Sequence, residues 1–208
     1  MVKPHSRYSK SSPKQYSDEL APKLKDQIIK QLQSVDIYSM KPIALAHGDI
    51  FDFQDCDARV ICVSENDSQS REVVGKFAEK HGKFPFPSNM QIGDVFHMIL
   101  RTSKPAILIF MVVRKHENEI VQFDNFEKCM PKLNDLLHSL GVKRIAMPLF
   151  SFTSEKLKNA FFLSMIHKYI LEEFEVTIVF RNAFYHRIIS ESLKVVYKDL
   201  EEEIEKSE

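Results

Sequence analysis

Excess charge of either sign is missing from this chain. Lysine plus arginine number 29 and aspartate plus glutamate number 29, so the formal net charge is zero. A basic field spread over the whole surface is thereby excluded, and any contact with nucleic acid has to be local. Cysteine is scarce as well. Cys56, Cys62 and Cys129 are odd in number, widely spaced and without a Cys-x-x-Cys or Cys/His ligand pattern. That argues against a disulfide framework or a zinc centre and for a reducing compartment, the nucleus or cytoplasm. No metal and no cofactor are expected. Long apolar runs are lacking too. The longest, Ala106 to Val113, is far too short to span a bilayer, and the first residues have no apolar signal core. The expectation is a soluble intracellular protein with no membrane partner.

What remains is enough for one core of ordinary size. The chain has 208 residues, 44% hydrophobic and 11% aromatic, which suits a single domain with tails. Residues 1–17 carry Lys3, Arg7, Lys10 and Lys14 with no acid, together with five serines. Such a segment buries too little apolar surface to offset its ordering entropy and reads as a disordered basic arm. It is either a contact for RNA, DNA or an acidic partner or simply a solvated tail. Residues 18–42 read as a short helix and linker, with Leu24, Ile28, Ile29 and Leu32 on one face. Pro42 marks entry into the main domain, residues 43–181.

Inside that domain apolar strands alternate with helical patterns. Strands are expected at Ile43–Ala46, Ala58–Val63, Gly93–Leu100, Ala106–Arg114, Arg144–Phe150 and Val176–Phe180. Helices are expected at Ser70–His81, Phe123–Leu140 and Glu155–Phe174, the first two stopping at Gly82 and Gly141. The run at 106–113 is apolar on both faces, as a central strand requires. Residues 182–208 read as a C-terminal helix with an acidic end. Helices between apolar strands imply a sheet covered on both sides, an α/β class.

The stretch LAHGDIFDFQDCDARVICVSEN, residues 45–66, is the first candidate site. Its second strand ends in Ser64, Glu65 and Asn66 and is followed by a helical pattern. An open α/β sheet binds ligands at the carboxyl ends of its strands. His47, His97 and His116 do not form a ligand spacing, and no Ser/His/Asp or Cys/His set can be argued from spacing alone.

The segments HGDIF (47–51), VICVSEN (60–66), KFAEKHG (76–82), VVRK (112–115), FDNFEKCM (123–130), GVKRIAMPLF (141–150) and TIVF (177–180) fall in the order and spacing of a macro domain. They resemble most the branch that removes ADP-ribose from glutamate side chains, the terminal ADP-ribose protein glycohydrolases. The resemblance implies a three-layer α/β/α fold with a mixed sheet and an ADP-ribose cleft at the strand ends. It assigns adenine contact to Asp49, with Ile50 beside it, and a place near the distal ribose to Ser64, with Asn66 next to it. A carboxylate at Asp49 can accept from an exocyclic amine, although it can equally cap its own turn. The family's lysine nucleophile falls at Lys115, or at Arg114 with a shift of one residue; Lys115 is favoured because arginine stays protonated. The catalytic aspartate falls on Glu155, which as a helix opener can also serve the helix dipole.

Two departures concern phosphate. The family closes backbone amides on a pyrophosphate with glycines in two loops. Here the first loop includes Ser70, Arg71 and Glu72, the second Ser151, Phe152 and Thr153, and neither contains a glycine. The implied partner, ADP-ribose or an ADP-ribosylated protein, is therefore expected to bind weakly. Two functions are carried forward: a macro-type binder or hydrolase of protein-linked ADP-ribose, and a pseudoenzyme that serves as an interaction module.

Overall fold

The apolar run at 106–113 becomes a strand with a neighbour on each side, and the rest of the sheet is laid out from it. The computed structural model describes residues 20–33, 43–67, 72–100, 106–119, 121–148, 166, 168–170 and 173–207. In chain order these form α1 (Leu20–Gln33), β1 (Ala44–His47), β2 (Ala58–Ser64), α2 (Glu72–His81), β3 (Val95–Leu100), β4 (Ala106–Arg114), α3 (Phe123–Ser139), β5 (Arg144–Pro148), β6 (Glu175–Phe180) and α4 (Ala183–Ser207). The helix expected at Glu155–Phe174 lies mostly outside the described residues; Ile166, Lys168 and Tyr169 are helical.

The sheet has the order β1-β6-β5-β2-β4-β3. Every neighbouring pair is parallel except β3 with β4, so the sheet is mixed with one antiparallel edge. Leu108 through Val113 are fully buried, as a strand paired with β2 and β3 and covered on both faces should be. The turn into β3 takes two residues more than the sequence pattern suggests. Gly93 sits at φ 95°, and its N–H donates to the Val112 carbonyl at 2.8 Å, so regular pairing starts only at Val95.

Alternation along the strands divides the core in two. Residues such as Ala58, Val60, Ile109, Met111, Ile145, Met147 and Ile178 meet α1, α3, α4 and Ile166 on one face. On the other, Ile61, Val63, Leu108, Phe110 and Val112 meet Val74 and Phe77 of α2 and the loop residues Phe84 and Met90. The β1–β2 connection also covers this second face, where Ile50 packs on Ala146 and Val179. Three layers result: helices, sheet, and α2 with its companion loop. Each fully buried Leu, Ile or Phe in them contributes roughly 1.5–3 kcal/mol relative to exposure.

Amphipathic spacing explains the helices. In α1, Ile28 and Leu32 are buried and pack with Ile188, Ile189 and Leu193 of α4, while Lys25 reaches Glu191 at 3.2 Å on the outside. In α3, Phe126, Cys129, Met130, Leu133 and Leu137 form the buried stripe. That stripe holds the helix although Pro131, on the exposed side, removes the N–H that would bond the carbonyl four residues back. Among the described residues no helix is long and apolar enough to cross a membrane.

Candidate functional site at the strand ends

The connection after β2 leads to α2 on one face, while the residues after β5 reach Ile166 and Ile170 in the core on the other. β2 and β5 are neighbours in the sheet. Adjacent parallel strands whose connections leave toward opposite faces open a crevice beyond their carboxyl ends, the usual ligand position of such sheets. Ser64 closes β2 at that end and Pro148 closes β5.

Ser64 is fully buried, and its hydroxyl has no hydrogen-bond partner among the described residues. Its N–H points to the Asp67 carboxylate at 3.4 Å. Across the pairing with β4, Ser64 stands opposite Arg114, after a register irregularity between Val63 and Ser64. Bulges of this kind re-aim side chains and recur beside functional sites. The Arg114 carbonyl accepts from the Glu65 N–H at 2.9 Å, and the Glu65 carboxylate in turn accepts from the Ile92 N–H at 3.0 Å. Arg114 is 8% exposed. Lys115, one step further, is exposed, and its N–H and that of His116 are both held by the Glu119 carboxylate. Asn66 is exposed in the turn after β2.

The β1–β2 connection supplies the other end of the site. The Gly48 N–H donates to the Phe180 carbonyl at 2.8 Å, prolonging the β1–β6 ladder by one step. Asp49 follows at once, and its Oδ1 accepts from the Phe51 N–H at 3.0 Å. The turn-capping role is therefore real, and the second carboxylate oxygen can still accept from a ligand. Ile50 is 1% exposed, its side chain in the core and its carbonyl bonded to Arg59, so its side chain is packing. Phe51 lies 4.4 Å from Phe77 of α2, ring centre to ring centre.

Two arginines fix this connection. Arg59, 6% exposed within β2, donates to the carbonyls of Ile50 and Phe53. Arg144, at the far end of the sheet, pairs with Asp55 and Asp57. Asp57 also accepts from the N–H groups of Lys143 and Arg144 at 3.1 and 2.9 Å. Burial pushes the Asp57 carboxyl up, but these backbone bonds and the Arg144 side chain outweigh it and hold the group below its ordinary range. Sequence reading passed over both arginines. For Arg59 one signal existed: a lone charge inside an otherwise apolar strand.

Ser70, Arg71, Ser151, Phe152, Thr153 and Glu155 lie outside the described residues. The structure thus brings Ser64 and Arg114 to neighbouring strand ends, places Asp49 beyond the end of β1, and leaves Lys115 on the surface. Among the described residues no three His, Cys, Asp or Glu side chains gather as a metal site requires.

No family model and no curated protein matches the sequence. Solved structures do. The macrodomain of Thermus aquaticus DarG aligns over 66% of this chain and 97% of its own, with a TM-score of 0.52 and 18% identity. A macrodomain from Oceanobacillus iheyensis covers 74% of this chain and 92% of its own at TM-score 0.51 and 15% identity. Thermosipho africanus DarTG, solved in complex with ADP-ribose, aligns over 66% of this chain and 41% of its own at TM-score 0.50 and 12% identity. At such identities the likeness speaks for the backbone, and together with the mixed six-stranded sheet between helices it establishes that this chain has the macrodomain α/β/α fold.

Proposed function

We propose that this protein is an ADP-ribose-binding module whose power to remove ADP-ribose from protein glutamates is weakened or lost. The observation that carries the reading is the placement of Arg114 at the end of β4, buried and in register with Ser64, while Lys115 is exposed outside it. A guanidinium holds an anion well and makes a poor nucleophile, so an arginine at this strand end suits binding more than covalent chemistry. Ser64 adds a buried hydroxyl that needs a partner, and Asp49 keeps one oxygen for an amine. The macrodomain fold supports ADP-ribose as the ligand, as in the Thermosipho complex.

A second reading, an interaction module that has given up the ligand, draws on the two glycine-free loops and on the basic arm at residues 1–17. In either case the three cysteines, which form no disulfide, fit a reducing compartment, the nucleus or cytoplasm. Calorimetry with free ADP-ribose separates the readings. Dissociation constants up to roughly 1 mM, equivalent to about 4 kcal/mol of binding, with no release of ADP-ribose from a glutamate-modified protein, support the binding module. Absence of any heat at that concentration supports the interaction module, and turnover restores the hydrolase.

A further inference from the structure

Asp49 is not set by its own loop alone. The Ile50–Phe51 peptide unit lies between two bonds: its carbonyl accepts from Arg59 Nε at 3.0 Å, and its N–H donates to Asp49 Oδ1 at 3.0 Å. A trans peptide is planar, with its C=O and N–H pointing in opposite directions. Fixing the oxygen on one side therefore fixes the hydrogen on the other. Donation from a cation into the carbonyl also polarises the same amide, strengthening its N–H as a donor. Arg59 is suited to this because it is 6% exposed and anchored a second time on the Phe53 carbonyl. The Ile50 side chain, 1% exposed against Ala146 and Val179, prevents the unit from turning over.

We propose that Arg59 is a positioning residue, which orients the Asp49 carboxylate through the Ile50–Phe51 peptide and thereby makes the site select an amino-bearing nucleobase. The second half rests on the ligand role proposed for Asp49. With Oδ1 committed to the Phe51 N–H, Oδ2 is left as a pure acceptor at a fixed angle. Such a group welcomes the exocyclic amine of adenine and repels the carbonyl of hypoxanthine.

The test compares ADP-ribose with its hypoxanthine analogue, inosine diphosphate ribose, on the whole chain. The unmodified protein is expected to prefer ADP-ribose by about tenfold, the scale of one charge-assisted hydrogen bond. In Arg59→Met the preference falls to about twofold or less, Asp49→Asn loses it too, and the double variant loses no more than either single one, since the two act in series. Arg59→Lys, which keeps the charge without the fork, recovers only part of it. Arg144→Ala, which loosens the same loop at its other end, lowers stability and leaves the preference intact. Losses in Arg59→Met and Asp49→Asn that simply add, or equal losses in Arg144→Ala, overturn the proposal. The ligand-free protein gives an independent readout in the Phe51 amide proton, which moves upfield and exchanges faster in Arg59→Met, or in Arg59→Lys should the Met variant not fold. An unmoved Phe51 amide rejects the relay. Absence of ADP-ribose binding by the unmodified protein rejects the nucleobase role and leaves that amide to decide the relay.

Discussion

Ser64 is the register partner of Arg114, and the pairing steps over Val113 to make it so. If the crevice holds the anionic part of a ligand, Arg114 is a cation at a strand end that borders it. Arg114→Met is expected to weaken ADP-ribose by about ten- to a hundredfold, as loss of a charge-assisted contact of about 1.5–3 kcal/mol implies. Lys115→Ala should change the affinity by less than about twofold, because an exposed lysine gains little from a solvated contact. Calorimetry on the two variants decides it; the reverse ranking would move the site to Lys115.

Glycine placed in the two loops tests the expectation that they weaken ligand binding. Ser70→Gly with Glu72→Gly, and Ser151→Gly with Thr153→Gly, free backbone amides to approach a diphosphate and remove one negative charge. Affinity for ADP-ribose should rise by about tenfold or more, roughly 1.4 kcal/mol. An unchanged dissociation constant would mean that the loops are not the obstacle.

Acid sensitivity is expected at the opposite end of the sheet. The Asp57 carboxyl is held below its ordinary value by the amides of Lys143 and Arg144 and by the Arg144 guanidinium, against the opposing pull of desolvation. Its folded-state value is lowered, so its stabilisation is present above the unfolded value and is lost as pH falls through the folded one. Asp57→Asn should cost about 1 kcal/mol or less at neutral pH, given the partial exposure, and should flatten the acid limb of stability measured by urea unfolding between roughly pH 5 and 2. An acid limb identical to that of the unmodified protein would remove Asp57 from the account.

Pro131 sits inside α3 on the exposed side, above a fully buried stripe. Interior proline costs about 3 kcal/mol relative to alanine, of which stiffening of the unfolded chain returns up to about 1 kcal/mol. Pro131→Ala should therefore stabilise the protein by about 2 kcal/mol, raising the melting temperature by roughly 4–8 °C for a chain of this size. A lowered melting temperature would show that the helix needs the bend.

The elements that were legible in the sequence are those whose signal is local. The apolar run of β4 and the 3.6-residue spacing of Phe126, Met130, Leu133 and Leu137 in α3 each follow from burial on a defined face. Site residues depend on something else. A single-residue irregularity beside Val63 decides that Arg114 rather than Val113 pairs with Ser64, and spacing cannot register such a step. Arg59 likewise finds its acceptors in a loop whose path the tertiary packing of Ile50 determines. Pro131 does not end α3 because the buried stripe outweighs its local cost.

Cys129 gives the protein a built-in clock for its own opening. Its thiol is fully buried between α3 and β4, 3.5 Å from the Val112 carbonyl, and burial pushes its pKa up to about 12. Only the thiolate attacks a disulfide reagent, so in the closed molecule this sulfur is silent at neutral pH. Cys56 and Cys62 are half-buried and should be consumed first, leaving a slow phase that belongs to Cys129 alone. When resealing outpaces labelling, the rate of that phase divided by the rate for a free thiol equals the fraction of molecules open at the α3–β4 boundary. One colorimetric trace under native conditions then reads the stability of the central layer without denaturant.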